Sequence, residues 1–147
     1  MIILSFLLEG ILSCYLPFSC LFTLTALILE TSYQKEETVL KYSLIIGVLY
    51  DIAYTNTLIL NALLFFFLCL FIFQYIKGYR ITYFYCLILN TVVTISYLII
   101  TYLILLLFHS IDFNIILFLK TLLQVLILNT IYFNILYIIH HKRNFKT

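Results

Sequence analysis

The stretch GVLYDIAYTNTLILNAL, residues 47–63, decides how this chain folds. Its apolar residues would carry one helix straight through, but Asp51, Asn56 and Asn61 stand among them with Thr55 and Thr57, residue types that supply turn and N-cap chemistry. The surrounding apolar run, residues 43–76, is too long for one comfortable membrane crossing, so the spacing predicts two helices divided near Tyr54. The same rule, apolar helices punctuated by short polar breaks, reads the rest of the chain.

Composition sets the class. Of 147 residues 65% are hydrophobic and 10% charged, and the mean hydropathy is +1.19. Eight Lys and Arg with six Asp and Glu could not cover the surface of a water-soluble domain of this size. The expectation is an all-α, polytopic membrane protein for which the bilayer is the solvent. Three Gly and three Ala leave few small residues for close helix approach, so contacts should rest on Ser, Thr, Asn and large side chains. The net charge of +2 forms no basic stripe, which gives no reason to expect nucleic-acid binding.

A crossing needs about 20 apolar residues, with shorter ones tolerated where the bilayer thins. Pro17 divides the first apolar run, because it disfavours helix in the residues before it and suits the first turn of a new helix. The predicted spans are 2–15, 18–30, 40–54, 57–76, 82–108 and 115–139, in one membrane domain covering residues 1–147. Residues 30–41, with Glu30, Lys35, Glu36, Glu37 and Lys41, are expected to form an aqueous loop, and Lys77, Gly78 and Arg80 a tight turn. Residues 1–16 carry neither a basic leader region nor an A-x-A site and are read as a retained first span.

Charge tests that count. With six spans and both termini cytoplasmic, Lys35, Lys41, Lys77, Arg80, Lys142, Arg143 and Lys146 share one side, leaving only Lys120 elsewhere. A five-span arrangement, in which residues 1–29 form one helix, keeps the later topology and places the N-terminus outside, so it stays open. A multi-pass membrane location is expected in either case.

An ionisable group at mid-span costs about 2.5–3.5 kcal/mol on insertion scales, so each should face protein, water or a partner. Glu9, in LLEGILS, has two open readings, a functional contact or an interfacial placement. Asp51 is expected near the outer interface within reach of water, as a cap on the fourth helix or as the partner of Lys120. Asn61 is placed to satisfy backbone groups of the same turn. Lys120 and Gln124 fall on one helical face, with Asn134 returning to within about 40° of Lys120. Asn90, Thr94, Tyr97 and Thr101 lie in an arc of about 60° on the fifth span. Facing seams joined by hydrogen bonds would follow, either as structural glue or as the wall of a ligand cavity.

Cys14, Cys20, Cys69 and Cys86 show neither CxxC pairing nor histidine at ligand spacing, so no metal centre is expected. No Ser/His/Asp set, HExxH, carboxylate pair or phosphate-binding glycine loop occurs, so neither an enzyme nor a cofactor is expected.

Gly47, Tyr50, Asp51, Thr55, Asn56, Asn61 and Ala62 resemble the signature of the MreD family, small membrane subunits of the bacterial rod-shape system. LEGILSCYLP, residues 8–17, is similar to a first-span pattern of its low-GC Gram-positive branch, with Glu9 where an Asp is usual. The resemblance implies a six-helix bundle similar to the S-component fold of energy-coupling-factor transporters. It also implies a non-enzymatic scaffold that works with MreC and, through it, with MreB, RodA and a penicillin-binding transpeptidase in lateral wall synthesis. The alternative is a substrate-binding subunit of a vitamin transporter of the energy-coupling-factor class, for which Asp51, Asn56 and Lys120 could line a pocket.

Overall fold

The computed structural model describes residues 1–15, 21–55, 59–76, 82–108 and 114–144, without the side chains of 14, 15, 55 and 141–144. The described chain is all-helical, with no strand. Its α-helices are α1 (Ile2–Tyr15), α2 (Phe22–Thr31), α3 (Glu36–Tyr50), α4 (Leu60–Ile76), α5 (Tyr83–Leu107) and α6 (Ile115–Asn144), and a π-helical turn, Asp51–Thr55, continues α3.

Side-chain contacts fix the direction of each helix. Glu9 meets Thr23, so α1 and α2 form an antiparallel hairpin that brings the Met1 amine to 3.7 Å from the Glu30 carboxylate. Asp51 meets Asn61 while Tyr50 packs on Phe65, closing the α3–α4 hairpin. Tyr83 hydrogen-bonds Asn134 at one end of the α5–α6 hairpin, and Tyr102 packs on Phe118 toward the other. Helices α2 and α6 run parallel, linked by Leu21 to Asn129 and by the Tyr33 ring stacked on His140. Successive helices therefore alternate in direction. Partial burial pushes the Tyr33 phenol up to about 12.

Every residue of α2 is buried, and the helix touches each of the other five. With ten residues it is about 15 Å long, half the thickness of a bilayer core. It is the axis of the bundle, and Thr23, Thr25 and Thr31 sit there fully desolvated beside Leu24, Leu27 and Ile28. Thr25 and Thr31 return their hydroxyls to carbonyls within the helix, at Leu21 and Ile28.

Helices α5 and α6 are long and apolar enough to cross a membrane, whereas α1, α2 and α4 are apolar but shorter. Large apolar side chains cover the outside on every α-helix but α2, among them Leu4, Leu49, Phe71, Phe84 and Ile116. Such a surface matches lipid rather than water.

Several boundaries depart from expectation, α6 for instance running to Asn144 where 139 was expected. The aqueous loop predicted over 30–41 contracts, because α3 already begins at Glu36 and Glu30 is buried. Glu36 and Glu37 occupy the first turn, where carboxylates complement the helix dipole, and Val39 is fully buried, so the segment gains packing by staying helical. The third helix, expected to end at 54, reaches Thr55 through the π turn. Asn56 and the expected loops near 77–81 and 109–113 lie outside the described residues.

Candidate functional site

Two buried carboxylates organise the interior. Helix α4 starts at Leu60 after Ile59, a residue with no side-chain acceptor, so its first N–H groups need a partner from elsewhere. Asp51 provides it from the end of α3. Both its oxygens lie 3.0 Å from the Asn61 N–H, Oδ2 also takes the Ala62 N–H at 3.2 Å, and Oδ1 takes the Asn61 side-chain amide at 2.8 Å. Asp51 has no solvent exposure. It is a cap supplied by the preceding helix rather than by the residue before α4, and its charge faces the positive end of the helix dipole.

Glu9 repeats the arrangement one hairpin earlier. Leu21 stands before α2 and makes no side-chain cap, and the Glu9 Oε2 accepts both the backbone N–H of Thr23, at 2.9 Å, and its hydroxyl, at 2.7 Å. The other oxygen accepts the Tyr50 hydroxyl at 2.7 Å. Because Tyr50 adjoins Asp51, one turn of α3 joins both capped helix starts. Asn61 extends the network, its Oδ1 receiving the Tyr97 hydroxyl of α5 at 2.6 Å. Five helices, α1 to α5, thereby exchange hydrogen bonds in a region closed to solvent, where each is worth roughly 0.6–2 kcal/mol.

Close backbone approach makes these contacts reachable. A Cβ added at Gly47 would stand 2.3 Å from the Ala62 Cα and 2.8 Å from its nitrogen. With any larger residue at 47, α3 would be held away from the start of α4, out of reach of Asp51. Gly10 admits the Tyr54 hydroxyl in the same manner, and that hydroxyl donates to the Phe6 carbonyl at 2.9 Å.

Of the residues singled out in the sequence, Glu9, Gly47, Asp51 and Asn61 thus come together. Lys120 and Gln124 do not join them. Of the two alternatives for Asp51, the cap on the fourth helix forms and the pair with Lys120 does not, because Asp51 is enclosed against α4 while Lys120 is exposed on α6. Nor does Asp51 reach water as expected. Gln124 is half-buried, and the enclosed amide of α6 is instead Asn129, which accepts the Leu21 N–H at 3.3 Å. The α5 seam splits, with Asn90, Thr94 and Tyr97 buried and Tyr97 bonded to α4 rather than α6. Helices α5 and α6 are joined by Tyr83 and Asn134.

Sequence reading missed Thr23 and the Ser5–Tyr132 hydroxyl pair, 2.7 Å apart. A threonine in an apolar helix has no distinguishing local pattern, and only the approach of α1 gives Thr23 its role. Among the described residues no group of His, Cys, Asp and Glu could hold a metal ion.

The fold and site define an all-helical bundle with two helices of membrane-crossing length and an interior tied by cross-helix carboxylate caps. Comparison with protein-family models, with curated proteins and with solved structures finds no match.

Proposed function

We propose that the chain is a six-span plasma-membrane scaffold similar to MreD, non-enzymatic, with both termini cytoplasmic and a fold like that of energy-coupling-factor S-components. In this reading it works with MreC and, through it, with MreB, RodA and a penicillin-binding transpeptidase to direct lateral wall synthesis. One observation carries it. Gly47, Tyr50, Asp51, Asn61 and Ala62, which bear the resemblance, are the residues that interlock where α3 meets α4. A chance similarity of composition would not select residues that depend on one another for close approach, capping and hydrogen bonding.

The alternation of helix direction supports the topology, since it sets the α2–α3 connection with Lys35 at the same end as His140 and the last turn of α6. The site supports a structural rather than a chemical role, because Glu9 and Asp51 commit their oxygens to helix starts and to the Tyr50 hydroxyl. For the vitamin-transporter alternative Asp51, Asn56 and Lys120 could line a pocket; Asp51 is enclosed and Lys120 is exposed on α6, which gives that reading no support from this pair.

Depletion in the native cell tests the proposal. Rounded cells with dispersed lateral wall synthesis are expected, whereas unchanged shape with defective vitamin uptake would replace it with the transporter reading. Neighbouring genes for MreB and MreC would agree with the scaffold, and a neighbouring pair of transport ATPases would oppose it.

A further inference from the structure

Helices α4 and α5 run antiparallel without closing on each other. The Tyr85 hydroxyl donates to the Tyr75 carbonyl at 3.2 Å near one end, and Tyr97 donates to Asn61 toward the other. Between them lies a cleft of about 530 Å³. Ile72 and Val93 form its buried floor, and Phe71, Tyr75, Ile88 and Val92 its exposed rim. The wall is apolar throughout except at Ser96 and the two tyrosines, and the Ser96 hydroxyl is engaged by the Val92 carbonyl at 2.9 Å.

We propose that this cleft holds one acyl chain of a membrane lipid, entering from the leaflet at the Tyr75–Tyr85 end and wedging α4 from α5. The inference rests on the membrane placement proposed above. Three features select this occupant. The cleft follows α5 from Tyr85 to Ile100, about 22 Å at the rise of a helix, somewhat more than the ~15 Å half-thickness of a bilayer core. A methylene takes up about as much space as a water molecule, ~30 Å³, so the volume corresponds to a chain of about 18 carbons. A partner helix of the same length and ~10 Å diameter would occupy about 1,700 Å³ and could only lean on the rim. Helices that pack intimately in membranes do so over small residues, as α3 does on α4 at Gly47, and this cleft presents Leu68, Phe71, Ile72 and Tyr75 instead. A polar ligand would find the Ser96 and Tyr85 hydroxyls already engaged.

The test uses the full chain in phosphatidylglycerol and phosphatidylcholine vesicles with a phospholipid carrying a diazirine on its acyl tail, and maps adducts by mass spectrometry. Floor residues Ile72 and Val93 are expected to be labelled at least as strongly as Ile127, which is exposed on α6. Filling the cleft with Val92→Phe and Ser96→Phe should lower floor labelling several-fold and leave Ile127 unchanged. Ile100→Phe, a milder filler at the far end, gives the same comparison if the double variant does not fold. An unlabelled floor beside a labelled Ile127 would overturn the acyl-chain site while leaving the membrane reading intact, as would floor labelling that the fillers do not reduce. Absence of label from Ile127 as well would overturn the membrane placement itself.

Discussion

Gly47 lies against Ala62 with no room for a side chain, since a Cβ built on it would stand 2.3 Å from the Ala62 Cα. The obstacle is backbone, so neighbouring side chains cannot relieve it by rotating. Gly47→Ala should therefore separate α3 from α4 and cost about 3 kcal/mol, the upper end of overpacking penalties. Thermal unfolding in detergent micelles measures it. Ala62→Gly should not rescue the variant, because the clash is with main-chain atoms.

Gly10 provides the contrast. There the nearest atom to an added Cβ is the Tyr54 hydroxyl, at 2.5 Å, the far end of a side chain. Gly10→Ala should be milder, and Tyr54→Phe should recover part of the loss. Equal damage from both glycine variants, with no recovery, would contradict the geometry.

Removing the Asp51 carboxylate strands the Asn61 and Ala62 N–H groups away from water. With about 1–3 kcal/mol for each buried group left unpaired, Asp51→Ala should lose roughly 3–5 kcal/mol. Asp51→Asn keeps one acceptor and should lose less. If MreC is the partner, recovery of the complex should fall in the same order, which co-purification would read.

Tyr97 and Asp51 are coupled through the two ends of one amide, that of Asn61. Tyr97→Phe should cost ~0.6–2 kcal/mol alone. Combined with Asn61→Leu, which removes the acceptor, it should cost little more. A double-mutant cycle measures the coupling, and simple additivity would show that the bond has no energetic weight.

Lys120→Met should change stability by less than ~0.5 kcal/mol, because the side chain is exposed on α6 and Asp51 is enclosed elsewhere. A loss comparable to that of Asp51→Ala would revive the charge pair suggested by the sequence.

Local signals account for what could be read along the chain. Thr82 caps α5 through the Tyr85 N–H, and Asn114 caps α6 through the Leu117 N–H, each within one turn of its own residue. Such starts are visible as residue spacing. The starts of α2 and α4 are not, because their caps come from Glu9 and Asp51 on the preceding helices.

The sequence by itself determined that the chain is helical, where its long apolar helices lie, and that Glu9, Gly47, Asp51 and Asn61 needed explanation. Only the tertiary structure decided that α2 is the enclosed axis, that Glu36 begins a helix, and that α5 bonds α4 through Tyr97 and α6 through Tyr83. Helices apolar on every side carry almost no amphipathic signal to separate the face that meets protein from the face that meets lipid. Which buried groups pair is then set by how the helices stack, and by Gly47, which lets two backbones meet.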